Sequence, residues 1–150
     1  MRVSVIGGSS IGPGTAAVAE TLGERLGERG HTVVCGGLGG VMEAVCRGAR
    51  EAGGETIGIL PTDDRGDANP HVTTPIATGL GHARNALVVM NGDAAIAVDG
   101  ASGTLSEIGL ALAQGRPVAG IDTHDIDGVA AVDSPAAAVA YVEDAVGSDR

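Results

Sequence analysis

The chain has 150 residues, with nineteen acidic side chains against nine basic ones, all arginine, for a net charge of −10. That length is expected to give one domain around one core. The acidic balance argues against nucleic acid or an anionic membrane as the main partner, since both demand a neutralising basic surface.

With one tyrosine and neither phenylalanine nor tryptophan, the core must be aliphatic, and any bound base must lie against aliphatic side chains. The opening Met1-Arg-Val-Ser-Val-Ile6 is too short an apolar run for a signal peptide. Nothing approaches the roughly 20 apolar residues of a membrane span. Cys35 and Cys46 lack the spacing of a metal or redox motif, and free thiols in a reducing cytoplasm are expected.

Short β-branched runs alternate with longer helical patterns along the whole chain. The first strand is predicted at Arg2–Ile6, followed by a helix at Thr15–Arg29 whose Val18, Leu22 and Leu26 form one apolar stripe. Next come a strand at Thr32–Cys35, a helix at Gly40–Ala52 and a strand at Thr56–Leu60. The polar stretch Pro61–Pro70 reads as a solvated connection or as a flap over a site. Around Val72–Ile76 the flanking Pro70 and Pro75 allow an edge strand or a loop. A helix at Gly81–Asn91, a strand at Ala94–Val98, a helix at Thr104–Gln114, strands at Val118–Ile121 and Val129–Val132, and a helix at Pro135–Val146 complete the order. This alternation predicts an α/β domain, a three-layer doubly wound parallel sheet flanked by helices.

Three strands end in glycine and small hydroxyl residues: Gly7-Gly-Ser-Ser-Ile-Gly12, Gly36-Gly-Leu-Gly-Gly40 and Gly100-Ala-Ser-Gly-Thr104. Parallel sheets bind ligands beyond the C-terminal strand ends, and helix N-termini there favour anions. The candidate ligand-binding residues are therefore Gly8, Ser9, Ser10, Gly36, Gly37, Gly39, Gly40, Gly100, Ser102, Gly103 and Thr104. The first loop lacks the G-x-G-x-x-G spacing, and no acid follows the second strand, which excludes a standard dinucleotide site. Pro13 and Gly14 stand where a P-loop carries lysine and a hydroxyl residue.

Thr104-Leu-Ser-Glu107 has the form of a capping box, so Glu107 either caps its helix or acts on a ligand held at Gly100–Thr104. Arg84 lies in an otherwise apolar helix. It is either a solvated side chain or a planar cation facing the rim. His82 is either a proton carrier or a surface cap, and His31, His71 and His124 show no metal-site spacing.

Taken in order, Cys35-Gly-Gly-Leu-Gly-Gly-Val-Met-Glu-Ala44, Ala83-Arg-Asn85 and Asp99 to Glu107 resemble the blocks of the LOG-type, formerly "lysine decarboxylase-like", Rossmann proteins. The resemblance covers nearly the whole chain, and the short form looks most like a prokaryotic branch that also resembles molybdenum-cofactor carrier proteins. It implies hydrolysis of the N-glycosidic bond of a nucleoside 5′-monophosphate, with Glu107 as catalytic carboxylate, Arg84 as its cationic partner and the Gly100–Thr104 loop on the phosphate. Asp99 stands where that family has proline, Ala101 where it has glycine, and Asn85 where it has lysine; Asp99 and Asn85 join the candidate binding residues. The other outcome of the resemblance is a non-catalytic carrier of molybdenum cofactor or a related phosphate-bearing ligand. No resident cofactor and no metal are implied. A small phosphorylated nucleotide-like ligand is the expected partner, and a cytoplasmic homodimer or larger homo-oligomer is the expected state.

Glu20, Glu24 and Glu28 form an i,i+4 column of like charge that salt screens. The protein is therefore expected to suit a salty cytosol. Its melting temperature should rise between dilute buffer and molar KCl in a thermal scan, and a flat response would refute the idea.

Overall fold

A computed structural model describes residues 1–148. The chain runs β1 (Arg2–Gly7), α1 (Pro13–Glu28), β2 (Thr32–Cys35), α2 (Val41–Glu51), β3 (Thr56–Leu60) and β4 (Thr74–Ala77). It continues through α3 (Asn85–Met90), β5 (Ala94–Val98), α4 (Ser102–Ala113), β6 (Val118–Ile121), β7 (Val129–Val132) and α5 (Pro135–Ser148). The strands form one parallel sheet in the order β4-β3-β2-β1-β5-β6-β7.

Successive side chains on a strand point to opposite faces, and here both faces are apolar. Val3, Val5, Val33, Cys35, Ile96 and Val98 pack against α1, α2 and α5. Ile6, Val34, Ile59, Ala95, Ala97 and Val118 pack against α3 and α4. Ser4 is the buried polar residue of β1, and its hydroxyl donates to Val88 O at 2.7 Å. The two cysteines are buried free thiols whose sulfurs lie 3.5 Å apart.

The chain moves outward from β1 to β4 and then returns to the other side of β1 as β5. The crevice between the C-terminal ends of β1 and β5 is thus the switch point at which such sheets take ligands.

Thr74–Ala77 is a full edge strand, with Pro75 opposite Gly58. An edge position tolerates a residue without an N–H. The strand is held from its start by Thr73, whose hydroxyl donates to Thr56 O at 2.6 Å, and by Thr56, whose hydroxyl donates to His71 O at 2.6 Å. The polar 61–70 stretch carries a 3-10 turn at Arg65–Asp67 and is mostly exposed. Its end is structural, however: Asn69 donates from its backbone to Gly37 O and from its side chain to Leu38 O, both at 2.9 Å.

The predicted Gly81–Asn91 helix is divided into a 3-10 turn at Gly81–Arg84 and the short α3. Gly79 and Gly81 both adopt left-handed backbone, φ 65° and 60°, and Gly81 donates to Pro61 O at 2.9 Å. This folds the entry of the helix down over the end of β3.

The helices α1 and α2 cross so closely that a Cβ on Gly48 would stand 2.0 Å from Glu20 O. Gly48→Ala is therefore expected to lower stability by about 2 kcal/mol or more, because two backbones would have to separate. Gly109→Ala, inside α4 with open space around it, should instead raise stability by about 0.5–1 kcal/mol. Urea denaturation of the two variants measures the contrast.

Candidate functional site

A cleft of about 200 Å³ opens at the switch point. Gly8 and Ser9 from the β1 loop form one wall, with Gly36, Leu38 and Met42 from the β2 loop and α2 beside them. Arg84 and Asn85 stand across from Gly103, Thr104 and Glu107 of α4.

Arg84 is only 8 % exposed. The alternative of a solvated side chain is thereby excluded, because the turn at Gly81–Arg84 aims it inward over β2 and β3. Its Nε donates to Ile59 O at 2.9 Å, an Nη2 hydrogen to Gly36 O at 3.4 Å, and an Nη1 hydrogen to Asn85 Oδ1. A guanidinium carries five N–H groups. Three are taken by these neutral acceptors, leaving two, one on each terminal nitrogen, without an acceptor among the described residues. Such free guanidinium N–H groups are donors suited to a carboxylate or phosphate. Burial lowers the Arg84 pKa, and the charge of Glu107 partly opposes that shift.

Glu107 is also 8 % exposed. The capping box does not form: α4 begins at Ser102, its N-cap is Ala101 without a side-chain cap bond, and Thr104 is already inside the first turn. Asp99 and Gly100 take left-handed backbone, φ 55° and 121°, and the helix starts three residues earlier than Thr104-x-x-Glu107 suggests. Thr104, Glu107, Ile108 and Ala111 consequently share the buried stripe of α4. No hydrogen bond or ion pair within 4 Å reaches the Glu107 carboxyl among the described residues. Burial pushes its pKa up to about 7, against the pull of the Arg84 charge. An acid poised near neutrality in a cleft is suited to giving or taking a proton.

The remaining candidates divide by position. Gly8, Ser9, Gly36, Asn85, Gly103 and Thr104 line the cleft. Ser10 and Gly40 border an adjoining groove with Glu43 and Arg47, and Ser102 borders another with Ser106. Gly37, at φ 79°, packs against Leu60 and serves the turn. Gly39 lies beside Ser9 O, and Gly40, at φ 64°, lets the chain pass close to Gly8. Val41 then donates to Gly8 O at 2.9 Å, tying the first loop to α2. Gly100 faces Thr104, whose side chain fills the space a Cβ would need. Asp99 is placed beside Gly8 at the edge of the crevice, its carbonyl accepting from Thr123 Oγ1 at 2.7 Å. Asn85 is 5 % exposed and joins both walls: its amide donates to Ser106 Oγ at 3.3 Å, and Ser106 donates to Gly103 O at 2.7 Å.

Sequence reasoning did not single out Leu38 and Met42 as cleft walls. As apolar residues flanking a helix start they look like core; only their place within the glycine-rich block hinted at more.

Among the described residues, no helix is long and apolar enough to cross a membrane. A protein from Archaeoglobus fulgidus is 41% identical over 142 residues, covering 94% of this chain and 93% of its own. A probable cytokinin riboside 5′-monophosphate phosphoribohydrolase from Oryza sativa is 38% identical over 117 residues, 71% of this chain but 46% of the rice protein, so the chain spans about half its length. Among solved structures, the molybdenum cofactor binding protein from Rippkaea orientalis superposes with a TM-score of 0.91 at 32% identity, over 97% of this chain and 96% of that one. A family model matches residues 1–146, and with the seven-stranded Rossmann-like sheet it shows that the chain belongs to the SLOG cluster4 family.

Proposed function

We propose that the protein binds a phosphorylated, nucleotide-like ligand in this cleft and hydrolyses the N-glycosidic bond of nucleoside 5′-monophosphates, giving free base and ribose 5-phosphate. One observation carries the reading: a buried, unpartnered carboxyl with a pKa of about 7 shares the cleft with a guanidinium that keeps two donors in reserve.

The phosphate is assigned to the Gly100–Thr104 loop, where the first amides of α4 have no partner within the helix. Breaking the ribosyl bond builds positive charge at the sugar carbon, which a carboxylate stabilises while it takes a proton from water. Glu107 is assigned that role, and Arg84 holds the anionic end of the ligand and limits the rise of the Glu107 pKa. A homo-oligomer in the cytoplasm belongs to the same proposal.

A carrier of a phosphate-bearing cofactor is the second reading. It is favoured by the near-complete overlay on the Rippkaea orientalis protein, against a partial match to a rice protein of twice the length. Turnover separates the two. Incubated in high KCl with a panel of nucleoside 5′-monophosphates, the wild type should release base. Glu107→Gln and Arg84→Ala should each slow that release by about 100-fold or more. No release from any substrate, with a cofactor co-purifying, would establish the carrier instead.

Glu107 also gives a prediction independent of turnover. Its pKa is near 4.3 in an unfolded chain and about 7 in the folded protein. Between those values the folded state binds more protons, so the contribution of this group to stability falls as pH rises through the window and is flat outside it. Denaturation at pH 5 and pH 8 should show Glu107→Gln gaining on the wild type at the higher pH, by on the order of 3 kcal/mol at most. An unchanged difference between the two pH values would show that Glu107 is not desolvated in solution.

A further inference from the structure

Two parts of the chain face each other across the cleft: the Gly81–Arg84 turn with α3, which carries Arg84 and Asn85, and α4 with its anion loop. Away from the cleft they share an apolar core of Val88, Val89, Ile108 and Ala111. Among the described residues one hydrogen bond joins the turn and α3 to α4, from the Asn85 amide nitrogen to Ser106 Oγ at 3.3 Å. Ser106 lines the outward groove beside Asn85 and does not line the cleft itself.

The direction of that bond is fixed by a second one. A hydroxyl has one hydrogen to give, and that of Ser106 goes to Gly103 O, three residues back along α4, at 2.7 Å. The Ser106 oxygen can then only accept. Asn85 accordingly turns its NH2 group to α4 and its carbonyl oxygen to Arg84, which donates to it from Nη1. The bonds run one way, from guanidinium to amide to hydroxyl to Gly103 O, and each polarises the next. One of the two unclaimed Arg84 hydrogens sits on the same Nη1. Its direction is set by the amide, and the place of the amide by Ser106.

Resting on the assignment of a phosphorylated ligand to this cleft, we propose that Ser106 is a positioning residue: its hydroxyl, acting through Asn85, holds the free Arg84 donors at a fixed spacing from the Gly100–Thr104 loop. A phosphate then meets donors already in place. Without the hydroxyl, Asn85 and the guanidinium end are released from the α4 wall.

The test uses inorganic phosphate as the probe, with its dissociation constant measured by calorimetric titration. Ser106→Ala should weaken phosphate by about 5-fold, the scale of one lost neutral hydrogen bond. Ser106→Thr keeps a hydroxyl that can bond back along the helix, and should stay within about 2-fold of the wild type. In an Asn85→Ala background, Ser106→Ala should weaken binding no further, because the pair acts as one unit. NMR of the Arg84 side chain supplies a readout without ligand: rotation about Cζ–Nη1 should be slow in the wild type and in Ser106→Thr, and faster in Ser106→Ala. Equal weakening in both backgrounds would mean that Ser106 touches the phosphate directly or supports α4 in general, and overturns the proposal. So does unchanged binding or unchanged Arg84 rotation in Ser106→Ala, or a loss in Ser106→Thr as large as in Ser106→Ala; each of these leaves the ligand reading intact. Failure of the wild type to bind inorganic phosphate or any nucleoside 5′-monophosphate overturns both.

Discussion

The rim of this sheet is organised around one buried guanidinium held on neutral acceptors. Removing an ionised group from water costs several kcal/mol unless its hydrogen bonds are replaced. Arg84 recovers three of them from Ile59 O, Gly36 O and Asn85 Oδ1 without meeting a carboxylate partner. That arrangement dictates its neighbours. A Cβ on Gly36 would stand 2.6 Å from Arg84 Nη2, so a glycine directly after β2 makes room for the guanidinium. The turn before α3 must drop over β3 to bring the side chain to Ile59. Asn85 supplies a neutral acceptor beside the guanidinium. A charge without a direct counterion, deep in the protein, is left with an unspent attraction for an anion.

The second wall follows from where α4 begins. Asp99 and Gly100 take left-handed conformations, and the loop after β6 clamps them, through Thr123 to Asp99 O and through His124 Nε2, 3.0 Å from Ala101 O. The helix then starts at Ser102, and its 3.6-residue period sets Thr104, Glu107, Ile108 and Ala111 on one inward stripe. Glu107 is thereby turned from the helix surface into the cleft it shares with Arg84. Asn85 and Ser106 couple this wall to Arg84, so the anion loop and the cation are positioned together.

Much of this architecture was legible in the sequence because strands buried on both faces leave an unmistakable apolar run. Thr32–Cys35, Thr56–Leu60, Ala94–Val98, Val118–Ile121 and Val129–Val132 end where their composition changes. The parts that were not legible depend on contacts between distant residues. Pro75 obscured β4, which is pinned by Thr56 and Thr73 across a gap of 17 residues. The burial of Arg84 depends on Gly36 and Ile59, 48 and 25 residues away, and no local pattern distinguishes it from a solvated arginine. Thr104 and Glu107 have capping-box spacing, but tertiary clamping of the preceding loop overrides it. The three glycine-rich loops did converge, although Gly37 and Gly40 serve the backbone turn more than the cleft.

Binding alone and catalysis make different demands on Glu107. A carrier needs the anion loop and the free Arg84 donors, whereas a desolvated carboxyl close to a bound phosphate gives it nothing and costs stability as pH rises from about 4.3 to about 7. Phosphate in the cleft adds negative charge and favours the protonated form further. Ionised Glu107 is therefore disfavoured in the ground state of the complex. In the proposed hydrolysis it would become favoured as positive charge grows on the sugar, which is the differential that accelerates a reaction. Under the proposed hydrolysis the cost of burying this carboxyl is offset as charge develops on the sugar, whereas a carrier would be served as well by a glutamine there.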